Sequence, residues 1–89
     1  MDQQEAAHIL EDMLLSMVTA LVDREEEITV SAHPAGNTIM FEVDAAKEDV
    51  GKIIGRSGKT AGALRHILGA ASAKLRVRSI LAIPDKKGE

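Results

Sequence analysis

Apolar residues at Ile9, Leu10, Met13, Leu14, Met17, Val18 and Leu21 recur at three- and four-residue steps. That spacing predicts an amphipathic helix over residues 4–22, docked on a core through a wide apolar face. Its methionines read as packing residues that fill gaps. The run Asp23-Arg24-Glu25-Glu26-Glu27 is a solvated connector. The period then drops to two. Ile28, Val30 and Ala32 alternate with Thr29, Ser31 and His33, and Ile39, Phe41 and Val43 alternate with more polar neighbours. Alternation of this kind marks half-buried strands. Pro34-Ala35-Gly36-Asn37 between them is turn chemistry, so the pair predicts an antiparallel hairpin with a loop of about four residues.

Beyond Asp44 the helical period returns. Glu48 and Asp49, two acids suited to a first helical turn, precede Val50, Ile53 and Ile54, and Gly55 ends this short helix. Ala61, Leu64, Leu68, Ala71 and Leu75 predict a further helix of about 15 residues. Arg76 to Ile83 is rich in β-branched and apolar residues and stops at Pro84, as a third strand would. Residues 85–89 are expected to form a flexible tail. The order is α-β-β-α-α-β, within a single domain over residues 1–84.

Charge changes the picture because it is unevenly placed. The 89 residues carry a formal net charge of −3, which taken alone disfavours a nucleic-acid partner. Residues 1–50 hold 12 acidic and 2 basic residues, while residues 51–89 hold 2 acidic and 9 basic. Lys52, Arg56, Lys59, Arg65, Lys74, Arg76 and Arg78 follow one another with no acid between them. A solvated dipolar surface is the plain reading of such asymmetry; a polyanion partner is the sharper one. No apolar run approaches the roughly 20 residues of a membrane span. The acidic opening Met-Asp-Gln-Gln-Glu argues against a secretory signal, and the absence of cysteine excludes disulfides and thiolate metal sites. A cytoplasmic protein without a membrane partner is expected.

The stretch Gly51-Lys-Ile-Ile-Gly-Arg-Ser-Gly-Lys-Thr60 lies in the basic half. It resembles a nucleotide-binding P-loop only superficially. That motif needs glycine five positions before Gly58, where Ile53 stands, and a strand before the loop, where helical spacing is found. What remains is helix, Gly55-Arg56-Ser57-Gly58, helix. Two glycines permit close approach of another backbone, and the first amides of the second helix, near Lys59 and Thr60, favour an anion. Lys52, Arg56 and Lys59 are expected around the same spot. A bare G-x-x-G is common and equally compatible with a tight helix connection.

Val50 to Ala61, with its Ile-Ile-Gly-Arg-Ser-Gly core, resembles the signature of the KH domain, and the element order is similar to the type II, bacterial form. Length, N-terminal helix and the Gly51–Gly55 run resemble the small single-domain KhpA family, over about residues 5–84. The resemblance implies an α+β fold, with three helices on one face of a three-stranded mixed sheet. It also implies a loop that clamps about four nucleotides of single-stranded RNA beside an apolar groove. Carried onto this chain, the RNA-binding residues are Lys52, Ile54, Gly55, Arg56, Ser57, Gly58, Lys59 and Thr60, with Val50 and Ile80 lining the groove. A homodimer and pairing with a larger KH-containing RNA-binding protein are implied as well.

Composition agrees with that mode of binding. There is no Trp or Tyr, and the single Phe41 falls at a core strand position, so recognition by aromatic stacking is not open to this chain. His8, His33 and His66 lack ligand spacing, which argues against a metal, and no serine or acid has an evident catalytic partner. Neither a cofactor nor enzymatic activity is expected. Gly62, Ala63, Ala70 and Ala73 would let another helix approach closely, although small residues are also ordinary helix formers. The reading is a low-specificity binder of single-stranded RNA, acting as a post-transcriptional regulator or RNA chaperone. The rival is an adaptor that uses the same fold for protein pairing; an acidic loop would have favoured it.

Overall fold

A computed structural model describes residues 1–84. The chain forms α1 (Gln3–Thr19), β1 (Thr29–Ala35), β2 (Thr38–Asp44), α2 (Lys47–Ile54), α3 (Lys59–Lys74) and β3 (Arg78–Ala82), with short 3-10 turns at Glu25–Glu27 and Arg56–Gly58. The expected tail at 85–89 lies outside the described residues. The sheet order is β1-β2-β3, with β1 antiparallel to β2 and β3 parallel to β2. The expected α+β fold with a three-stranded mixed sheet is therefore observed. A parallel return needs a crossover, and α2 and α3 supply it.

Asp2 starts α1 by accepting the Glu5 amide at 2.8 Å, as an N-cap does. The helix buries Ala6, Ala7, Leu10, Leu14 and Val18. This stripe is narrower than the sequence pattern implied: Ile9 is 45 % exposed and Leu21, beyond the helix end, is also exposed. The i, i+4 row through Leu10, Leu14 and Val18 meets the sheet, which leaves Ile9 on the far side.

β1 extends through Pro34 and Ala35, so the hairpin turn is Gly36-Asn37 and not four residues. Proline is tolerated because β1 is an edge strand with no further ladder partner. Gly36 takes a positive φ of 62°, the conformation this tight turn requires. Ile39, Phe41, Val43 and Leu81 face the helices and are buried, in the alternation expected. Phe41 pairs with Ala32 on one side and Leu81 on the other, which places it at the centre of the core.

β3 is shorter than expected. Arg76 adopts φ 63°, and the Val77 and Arg76 amides return to Ser72 O (3.0 Å) and Ala73 O (3.2 Å). These bonds close the end of α3 with a Schellman turn. Ser72, at a core-facing position of α3, donates to Leu68 O at 2.7 Å and shares a short hydrogen bond with Ser79 of β3.

Candidate nucleic-acid interface

α2 ends where Gly55 takes φ 78° and ψ 170° while donating to Gly51 O. Ser57 (φ 57°, ψ 24°) and Gly58 (φ 74°, ψ 14°) both occupy the left-handed region, and the Gly58 amide closes the turn on Gly55 O at 3.1 Å. The two glycines differ in surroundings. A β-carbon on Gly55 would collide with the Thr60 side chain, but one on Gly58 would meet nothing within 4 Å. Gly55 lets α2 and α3 close on each other; Gly58 leaves open space in front of the loop.

No side chain caps the start of α3. The Lys59 amide returns to Arg56 O, but the amides that follow it in the first turn have no intrahelical acceptor, and with the helix dipole they form a site suited to an anion. Arg56, Ser57 and Lys59 are exposed around that end, and Gly55, Gly58, Thr60 and Ile54 are half-buried. Among the described residues neither Arg56 nor Lys59 has an acidic partner. Two free cations, uncapped amides and a cleared approach thus meet at one place.

Lys52 departs from expectation. Its Nζ lies 2.5 Å from Asp23 Oδ2 and 3.0 Å from Asp49 Oδ1. The side chain turns toward the start of α2, as side chains on a helix lean, and its charge is matched by two carboxylates away from the loop. Asp49 is only 1 % exposed and also accepts the Arg24 amide at 2.9 Å. That amide bond, with help from Lys52, holds the Asp49 carboxyl below its ordinary pKa. Asp23 first and Asp49 second hold Lys52 above its own. Asp49 lies in the first turn of α2, as expected, and it also pins the α1–β1 connection to that helix. The Asp49–Lys52 spacing of three is local to α2, but nothing local in the sequence marks Asp23 as the second partner, 29 residues away.

The residues expected to line an apolar groove do not share one surface. Val50 is buried, at 4 % exposure, because α2 turns Val50 and Ile53 inward, so the Val50 side chain is not open to a ligand. Ile80 is 55 % exposed but alternates with the buried Leu81, which sets it on the outer face of the sheet beside Met40. Arg65 of the basic run joins α3 to β3: its Nε and Nη2 reach Leu81 O at 3.4 and 3.3 Å. On the outer side of α3, Gly62, Ala63, Ala70 and Ala73 are exposed together with Ile67. The described residues contain no group of three or more potential metal ligands, and no described helix is long and apolar enough to cross a membrane.

A helix, Gly-x-x-Gly turn and helix, set in the order α-β-β-α-α-β with β3 parallel to β2, define a type II KH domain. A family model described as KhpA/KhpB, KH domain, matches residues 11–83, and the chain belongs to that family. The RNA-binding protein KhpA of Chlamydia pneumoniae is 36 % identical over 78 residues, 88 % of this chain and 100 % of the relative. The RNA-binding protein KhpA of Treponema pallidum is 39 % identical, over 84 % of this chain and 94 % of its own. That of Halalkalibacterium halodurans is 41 % identical over 66 residues, 74 % of this chain and 87 % of the relative.

Proposed function

We propose that this chain binds RNA, as its relatives' names state for them, by clamping short single-stranded segments through the Gly55–Gly58 loop. The observation that carries the reading is the pairing of open space at Gly58 with the uncapped start of α3, between Arg56 and Lys59. Phosphate oxygens can accept from the α3 amides while the two cations neutralise the backbone. Such contacts carry no sequence information directly, which gives low specificity and suits a non-enzymatic post-transcriptional regulator or RNA chaperone. One loop grips few nucleotides, so useful affinity calls for a second copy or a larger KH-containing partner to raise it by avidity.

A second reading has its own observation. Ile67, 49 % exposed, sits among the small residues of outer α3, a surface suited to helix pairing and hence to an adaptor. The two readings separate in one experiment. Replacing Arg56 and Ser57 by Asp puts two negative charges in the loop and keeps both glycines. RNA affinity should fall at least tenfold with circular dichroism and oligomeric state unchanged; unaltered RNA affinity in the folded variant removes the clamp reading.

A further inference from the structure

The far end of α3 holds a second cationic site. Lys74 and Arg76 line a surface cleft of about 500 Å³ with Gln3, Asn37, Leu75 and the start of the chain. Both cations are exposed, and among the described residues neither has a carboxylate partner. Asp2, the acid on the cleft wall, is held as the cap of α1 by the Glu5 amide. Gln3 is fixed as well, donating to Gly36 O at 2.6 Å. The cleft is therefore an open, electropositive surface.

Its backbone gives an independent sign. Arg76 occupies the position after the helix end with φ 63°, where glycine is the unstrained and usual choice. A bulky side chain kept in the left-handed region marks a place where the side chain is wanted. Position completes the case. α3 runs from the glycine loop to this turn, and β3 comes back beside it. Arg65 bridges the seam at Leu81 O, and the Arg78 amide ties β3 to Asn37 O. From Lys59 to Lys74 the helix rises about 22 Å, which at about 3.4 Å per nucleotide is the length of roughly six stacked nucleotides.

We infer that the Lys74–Arg76 cleft binds phosphates of the same single-stranded nucleic acid whose other segment sits on the glycine loop, so that the footprint runs the length of α3. This rests on the loop reading above. The inference predicts that affinity depends on strand length in a way the loop alone does not produce.

The test uses the full chain and oligouridylates of four and ten nucleotides, with the double variant Lys74→Ala/Arg76→Gly. Glycine relieves the φ at position 76, so the variant should fold at least as stably as the parent, checked by thermal melting. Expected is unchanged affinity for the four-mer, a roughly tenfold loss for the ten-mer at 0.1 M salt, and a salt slope for the ten-mer flatter by about 1.4. Amide signals of Asn37 and Arg76 should shift on adding the ten-mer and stay in place with the four-mer. A folded variant that binds the ten-mer with parental affinity and slope overturns the inference. Failure of the loop reading looks different: the Arg56→Asp/Ser57→Asp variant would then lose nothing on the four-mer.

Discussion

Gly55 and Thr60 are in such close apposition that a β-carbon on the glycine would collide with the threonine hydroxyl and lie 2.8 Å from its amide nitrogen. The first glycine of the loop is thus required by packing between two helices, and the second, Gly58, by backbone angle alone. Gly55→Ala should cost about 2–3 kcal/mol, from a left-handed alanine plus the clash, and Gly58→Ala about 1 kcal/mol. Urea titration checks the difference. Gly58→Ala should nevertheless weaken RNA binding, by filling the space a phosphate would enter. Equal stability losses at the two glycines would contradict the geometry described.

The pairing of Lys52 with Asp49 and Asp23 makes Lys52 a structural residue of α2. Lys52→Ala should lower the melting temperature by several degrees while leaving RNA affinity nearly unchanged. The pH dependence has two limbs. Asp49 has a depressed folded pKa, so its contribution is complete above its unfolded value of about 3.9 and is lost as pH falls through the lower folded value. Lys52 has a raised folded pKa, so its contribution is complete below about 10.4 and is lost as pH rises beyond that. Melting curves of Asp49→Asn against the parent should show the gap between the two proteins closing in acid. A constant gap from pH 7 down to pH 2 counts against the role given to Asp49.

Salt dependence counts the cations at the loop. With a four-nucleotide strand only Arg56 and Lys59 contribute, so log affinity against log salt should have a slope of about −1.4, at about −0.7 per phosphate contact. Lys59→Ala should halve that slope and weaken different sequences by similar factors, while Lys52→Ala should leave it alone. A slope near −2 that flattens on Lys52→Ala would return Lys52 to the RNA-binding set.

The proposed pairing with a second copy is tested on the outer side of α3. Gly62→Glu places a charge beside Ala63 and Ile67, on a surface with nothing within 4 Å of the added carbon. The monomer should stay folded, since an exposed helical glycine already costs about 1 kcal/mol relative to alanine. Sedimentation velocity should then show a shift from dimer toward monomer. The same sedimentation coefficient before and after the change rules this surface out.

The sequence by itself determined the element order, the phases of both hairpin strands and the place of the loop. Each depends on local periodicity: Phe41 must face the core once the period of two is set, and Gly55 must end α2 because few other residues accept its backbone angles. Tertiary structure decided everything that needs two distant segments to meet. Lys52 reads as a phosphate ligand from the loop beside it, but Asp49 one turn back in α2 and Asp23, returned to it across 29 residues, make it a structural ion-pair partner. Val50 and Ile54 look alike in a helical pattern, and the packing of α2 against α3 buries one and half-exposes the other. Ile80 and Leu81 are alike in apolar character and alternate by the pleat alone, but only the packing of α3 on β3 decides that Leu81 is the covered one. The positive φ at Arg76 arises where α3 stops in a Schellman turn and hands the chain to β3.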